Sequence, residues 1–314
     1  MRRKLYVLLL SAALLLLGAP AAQAAENGEW AVYPAAARLG ERPYYFLTAD
    51  PGTTLRDRVT VANKTGEPLT FRLYGADAYN TERDGGFAIR TLKEPQTGPG
   101  AWIRPERATV TVPPRSAVTV PFTLTVPADA DPGDHPGAVV ALDERITPGG
   151  GAVAMGIQRA VAARVYLKIN GPAVPALAVE DVTLEQDRPA VPGTRESTAL
   201  VTYTLHNRGN VTLNPKVVLT AEGLFGRTLL DRDLAHVPSE LLPRQRIRLT
   251  EKWIGSPQLD WGEVTLVATA RDVRESAGVS FLALPWLVAS VLALGAAGGL
   301  TGWRIRRRRA RRGH

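Results

Sequence analysis

The sequence predicts an all-β protein: two tandem immunoglobulin-like β-sandwich domains, preceded by a cleaved signal peptide and followed by a single C-terminal transmembrane helix. Three observations carry this expectation. Apolar residues recur at every second position in short runs, as in Leu69, Phe71 and Leu73 or Val201, Tyr203 and Leu205, which is the period of a strand with one buried face. Turn-forming clusters separate the runs, among them Asn63-Lys64-Thr65-Gly66, Asp84-Gly85-Gly86, Asp131-Pro132-Gly133 and Asn207-Arg208-Gly209-Asn210. Only the two ends carry long uncharged runs. A chain of 314 residues has room for about two domains, and 45% hydrophobic against 22% charged residues excludes a wholly disordered polypeptide.

The elements follow in chain order. Residues 1–25 read as a secretory leader: basic Arg2, Arg3 and Lys4, an apolar stretch from Leu5 to Gly18, and the small-x-small site Ala22-Gln23-Ala24. Residues 26–171 read as the first sandwich, its strands marked by Leu55 to Val61, Leu69 to Leu73, Thr109 to Val112 and Ala117 to Val126. The run from Val153 to Ile169 closes it as a strand with a bulge near Gly156. The proline-rich stretch Asn170 to Pro175 marks a boundary. Residues 172–275 have the size and turn spacing of an immunoglobulin-like sandwich, and 271–278 read as a polar stalk.

Val279 to Trp303 holds no charge over 25 residues, enough to exceed the ~30 Å hydrocarbon core of a bilayer. Trp286 and Trp303 stand near its edges, where indoles favour the interface, and Pro285 falls in the first turn. Residues 304–314 form a basic tail with Arg304, Arg306, Arg307, Arg308, Arg309, Arg311 and Arg312. By the positive-inside rule the expected topology is type I and single-pass in the cell membrane, with the body outside and the tail in the cytoplasm. The arginines then act as a topology signal that also touches anionic lipid. Gly295, Gly298, Gly299 and Gly302 give small-x3-small spacings suited to helix self-association through Gly295, Gly299 and Gly302.

The formal charge of +8 belongs to the ends. Without Arg2, Arg3, Lys4 and the seven tail arginines, 28 basic residues face 30 acidic ones. The near-neutral body argues against a nucleic-acid partner.

Chemistry is mostly excluded. With no cysteine, disulfides, thiolate metal sites and cysteine nucleophiles are ruled out. His135, His206 and His236 stand at no metal-ligand spacing, and the sequence contains no His-Glu-x-x-His, Gly-x-Ser-x-Gly, Ser-x-x-Lys or phosphate-loop motif. The expectation is a protein that is not an enzyme, with no cofactor and no metal. Asp129, Asp131 and Asp134 approach a calcium loop, but Asp134 and Val140 occupy the places of the required Gly and Glu. Three binding candidates remain. Trp102 follows Pro99-Gly100 at a loop-to-strand junction and reads either as a sugar-stacking indole or as a core residue. Asp134 and His135 lie in the stretch Asp131 to Gly137, which reads as a loop that is either structural or able to hydrogen-bond a saccharide or peptide stem. Tyr44 and Tyr79 are weaker aromatic candidates. Asn63 and Asn210 head glycosylation-type triplets and read as turn asparagines.

Taken in order, these motifs say more. The run Asp57 to Asn63, then Phe71 to Asp77, Trp102-Ile103, Val120 to Pro127 and Pro132 to Gly137, is followed by Asn207-x-Gly209-Asn210-x-x-Leu213-x-Pro215 and Leu224-Phe225-Gly226. This resembles the WxL-interacting protein family of bacterial cell surfaces. The resemblance runs from about residue 28 to the end and is strongest from Asp57 to Asp77 and from Val120 to Val140. It implies a peptidoglycan-binding first domain, a second domain presented to surface protein partners, and a membrane anchor. A different reading of the same architecture is an extracytoplasmic, membrane-tethered chaperone or assembly factor, since tandem sandwiches can offer an edge strand to a client. An adhesin subunit is a third.

Overall fold

The computed structural model describes residues 25–37, 40–148, 156–284 and 286–310. Residues 1–24 of the expected leader, residues 149–155, Pro285, Arg311 and Arg312 lie outside the described residues. The chain falls into two compact units, one of residues 1–78 and 89–171, the other of residues 79–88 and 172–314.

The strands of the first part of the chain are β1 (Ala25–Glu26), β2 (Trp30–Pro34), β3 (Tyr45–Ala49), β4 (Thr54–Asn63), β5 (Leu69–Asn80) and β6 (Phe87–Ile89). A single helical turn, α1 (Pro99–Trp102), precedes β7 (Ile103–Pro105), β8 (Thr109–Val112), β9 (Ala117–Thr125) and β10 (Gly133–Asp143). After β11 (Thr147–Pro148) and β12 (Gly156–Ile157) comes β13 (Ala160–Ile169). One sheet runs β1-β2-β4-β9-β7, and the facing sheet runs β3-β13-β10-β5-β6 with β8 also on β5. Alternation explains the packing. Phe71, Leu73, Val139, Ala141, Val165 and Leu167 turn one side chain in two towards the other sheet, where Trp30 meets Phe71 at 5.3 Å and Tyr45 meets Phe122 edge-on at 5.3 Å. Each large apolar side chain so buried contributes about 1.5–3 kcal/mol. The phenol of Tyr45, pushed up in pKa chiefly by burial, donates to the Arg58 carbonyl at 2.9 Å.

A buried carboxylate sets α1 in place. Asp77 accepts the N–H groups of Thr97 (2.5 Å), Gly98 (3.0 Å) and Gly100 (2.7 Å). Gly100 is needed there: a Cβ would lie 2.4 Å from the Gln96 amide oxygen and 2.6 Å from the Asp77 nitrogen.

The second part holds β14 (Leu177–Asp187), β15 (Thr198–Asn207), β16 (Lys216–Glu222), β17 (Thr228–Asp233), β18 (Arg246–Ile254), β19 (Asp260–Ala270) and β20 (Val273–Ala283), then helix α2 (Trp286–Ala310). A three-stranded sheet, β14-β15-β18, faces a four-stranded one, β17-β16-β19-β20. Tyr203, Leu205, Leu219 and Leu266 fill the space between them, and Trp253 and Phe281 meet edge-on at 6.1 Å. Residues 79–88 belong to this unit. Asn80 donates to the Glu240 carbonyl at 2.8 Å and accepts the Leu242 N–H at 2.8 Å, and the Arg248 N–H donates to the Glu82 carbonyl.

The two units repeat one device. Asn63 ends β4, and its amide nitrogen donates to the carbonyls of Glu67 (2.7 Å) and Val112 (3.1 Å) while its oxygen accepts the Thr65 N–H. Asn207 ends β15 and does the same with the Val211 and Leu241 carbonyls (2.8 and 2.9 Å) and the Gly209 N–H.

The all-β, sandwich-like expectation holds, and three local expectations are corrected. The segment 271–278 is no stalk: it turns at Arg271 and Asp272 and enters β20, which pairs with β19 along its whole length. Gly156 sits in the short strand β12, paired with β11, rather than in a bulge. No helix among the described residues is long and apolar enough to cross a membrane. The uncharged run of 279–303 is divided, because Val279, Phe281 and Ala283 alternate inward from β20 onto the sandwich core. The single-pass type I placement, with its outside body, cytoplasmic tail and lipid contact, is withdrawn accordingly. Arg304, Arg306, Arg307, Arg308 and Arg309 continue the same helix, on which Gly295, Gly299 and Gly302 also lie.

Candidate functional site

Strand β3 is an edge. Among the described residues its one hydrogen-bonded neighbour is β13, which runs parallel to it from Tyr45↔Val165 to Ala49↔Ile169. Along a strand, successive residues send their N–H and C=O groups to opposite sides. The Asn170 N–H donates to the Ala49 carbonyl at 3.0 Å, so Tyr45, Leu47 and Ala49 serve β13. The backbone groups of Phe46 and Thr48 therefore point away from the sheet, where an incoming strand would meet them.

Aromatic side chains back this edge. Phe46 is 70% exposed and stacks on Tyr166 of β13, with centroids 5.3 Å apart and planes at 11°. Tyr44 stands edge-on to both, at 6.2 Å from Phe46 and 5.7 Å from Tyr166. Arg164 places its guanidinium 5.7 Å from the Tyr44 ring centre and donates to the Tyr166 hydroxyl at 3.2 Å. The register carries the face further: Tyr166 lies opposite Pro136 of β10, and Lys168 lies opposite Asp134. An exposed aromatic on an unpaired strand is costly to leave open to other chains. The arrangement supplies backbone pairing, a flat apolar surface and a cation within a few residues.

Elsewhere, single positions of the edges in the second unit are capped. At β18, Arg232 donates to the Lys252 carbonyl at 2.8 Å, and the Arg248 N–H is taken by Glu82. Beyond the end of β14, Arg188 donates to the Leu282 carbonyl of β20 at 3.2 Å.

The structure sorts the residues singled out by sequence. Asp131 to Gly137 is not a free loop, since β10 begins at Gly133 and pairs with β13 from there. His135 and Trp102 come together with ring centres 5.2 Å apart and planes at 45°. Trp102 packs against the core, and His135 Nε2 donates to the Asp131 carbonyl at 2.8 Å. Neighbours on a strand face opposite ways, so Asp134 turns to the outer, aromatic face while His135 turns to the inner one. The described residues hold no cluster of three His, Cys, Asp or Glu able to bind a metal ion. Tyr79 belongs to the second unit. The amide nitrogens of Asn63 and Asn210 are committed to carbonyls of Glu67 and Pro172. Sequence reasoning missed Phe46 and Tyr166. The signal was present in Tyr45-Phe46-Leu47, whose apolar side chains fall on both faces of a strand.

No known family model matches the chain, and no curated protein does. Solved structures similar to it include the class 5 fimbriae chaperone CfaA, 11% identical with a TM-score of 0.35, covering 82% of this chain and 99% of that one. The YadV chaperone is 8% identical with a TM-score of 0.34, covering 81% and 100%. The complex of Salmonella enterica SafA pilin with the SafB chaperone is 8% identical with a TM-score of 0.33, covering 83% and 100%. The expected membership of the WxL-interacting family is corrected: neither family models nor curated proteins support it. Among the motifs that carried the resemblance are two of strand, asparagine turn and strand in succession. Asn63 and Asn207 show that succession to be a hydrogen-bonding device of the sandwich fold. Peptidoglycan as a partner was implied by that resemblance alone and is withdrawn with it.

Proposed function

We propose that this chain is a protein-binding module of the assembly-chaperone kind, which receives an extended segment of a partner protein as an added strand along β3. The observation that carries this reading is Phe46, exposed on an edge strand whose outward N–H and C=O groups, at Phe46 and Thr48, have no partner among the described residues. Main-chain hydrogen bonds would give affinity to many sequences, and the aromatic face would select apolar or aromatic side chains at alternate positions of the segment. Arg164 and Lys168 favour an acidic residue beside them. The activity is binding, with no covalent step.

A photo-crosslinking phenylalanine analogue at position 46, used in the producing cell, captures the partner segment, which is then synthesised as a peptide and titrated against the purified full chain. Phe46→Asp should weaken binding at least about tenfold, ~1.4 kcal/mol. Thr48→Pro removes the outward N–H without touching the β13 pairing and should do likewise. No crosslink, or equal binding by Thr48→Pro with its fold intact by circular dichroism, overturns the reading.

A further inference from the structure

The outer face of the three-stranded sheet β14-β15-β18 carries acid on one edge and base on the other. Glu180, Glu185 and Asp187 stand on β14, and Arg246, Arg248 and Lys252 on β18. The register aligns them in rows across the middle strand. One row reads Glu185–Leu200–Lys252, and the next reads Thr183–Thr202–Thr250. Leu200 is 41% exposed at the centre of its row. The side chains of Glu185 and Lys252 have no ion pair among the described residues. They stand two strand spacings, about 9.6 Å, apart with Leu200 between them.

We infer that this face binds a second copy of the chain in an isologous, twofold dimer. The charges select the axis. A twofold running along β15 between two stacked faces leaves each row in place and exchanges its ends. Glu185 of one copy then meets Lys252 of the other, twice, and Leu200 meets Leu200. A twofold across the strands would set acid on acid and base on base, and like charges in register repel. Aligned stacking of two sheets about 10 Å apart is an ordinary sandwich geometry. The face is small, about 14 Å by 24 Å from strand spacing and rise. That is less than half the ~800 Å² per partner of a standard interface, so the dimer is weak and salt-sensitive. The inference concerns a face of the second unit and is independent of strand addition at β3.

Sedimentation velocity of the full chain, from micromolar to near-millimolar concentration at low and high salt, tests it. The unaltered chain should sediment faster as concentration rises, less so in high salt. Glu185→Lys and Lys252→Glu, both exposed positions, should each lose that shift alone. An equal mixture of the two variants should regain it, because every cross-pair is then complementary, and so should the doubly reversed chain. A mixture that stays monomeric, an association that survives both single reversals, or an unaltered chain with no concentration dependence overturns the proposal.

Discussion

Asn63 and Asn207 do the same work in the two units: each closes a strand by holding the carbonyl four residues ahead, a second carbonyl far along the chain, and the N–H two residues ahead. The pairing of a buried amide with backbone groups that cannot reach water makes both positions intolerant.

Asn63→Ala or Asn207→Ala should therefore cost about 2 kcal/mol, since each removes at least three hydrogen bonds to backbone groups at a buried position. Asn207→Asp should cost more, because a carboxylate oxygen would replace the donor facing the Val211 and Leu241 carbonyls. Urea unfolding of each variant measures this.

Asp77→Asn should destabilise the first unit by about 2 kcal/mol, because an amide nitrogen would face at least one of the three N–H groups that the carboxylate now accepts. It should also loosen α1, whose last residue is Trp102. Thermal melting, compared with Trp102→Phe alone and the double variant, separates the two effects.

Glu180 gives a pH dependence. His206 Nδ1 at 3.2 Å first, then Arg208 and Arg246, hold its pKa down at about 2. A folded pKa below the unfolded value near 4.3 stabilises the fold above that value and loses its effect as pH falls towards 2. The stability difference between the unaltered chain and Glu180→Gln should be largest at neutral pH and shrink below about pH 4.3. The arginine partners are exposed, so the difference should also shrink in salt. Chemical denaturation from pH 7 down to pH 2.5 checks both.

Phe46→Ala should leave stability within about 0.5 kcal/mol, since the ring is mostly in water and its main contact is the stack on Tyr166. A loss several times larger would show that the aromatic face is a structural cluster instead of a binding surface. Urea unfolding decides.

Period-two alternation was enough to read most strands, because Phe71, Val120 or Tyr203 each sit where one buried face requires an apolar residue. It failed where local pattern is ambiguous. Val279 to Ala283 suits a strand or an apolar helix equally, and pairing with β19 decides for the strand. Gly133 to Gly137 looks like a turn from its Pro and Gly, yet it is the start of β10. The aromatic face was not legible, since Phe46 and Tyr166 are far apart in sequence and meet only through the parallel pairing of β3 with β13. Nor does anything local to Tyr79–Ala88 announce that Asn80 will bond to Glu240 and Leu242.

That last segment constrains how the molecule is made. The second unit is discontinuous in the chain, so its first piece leaves the ribosome well before the strands that receive it. Asn80 stays without the Leu242 N–H until the segment between β17 and β18 has been synthesised, and residues 172–314 expressed alone lack an integral part of their own unit. Synthesis order thus makes completion of the second unit a late event that depends on an early-translated hairpin tip, and a stalled or truncated chain would display that tip with its amide groups unspent.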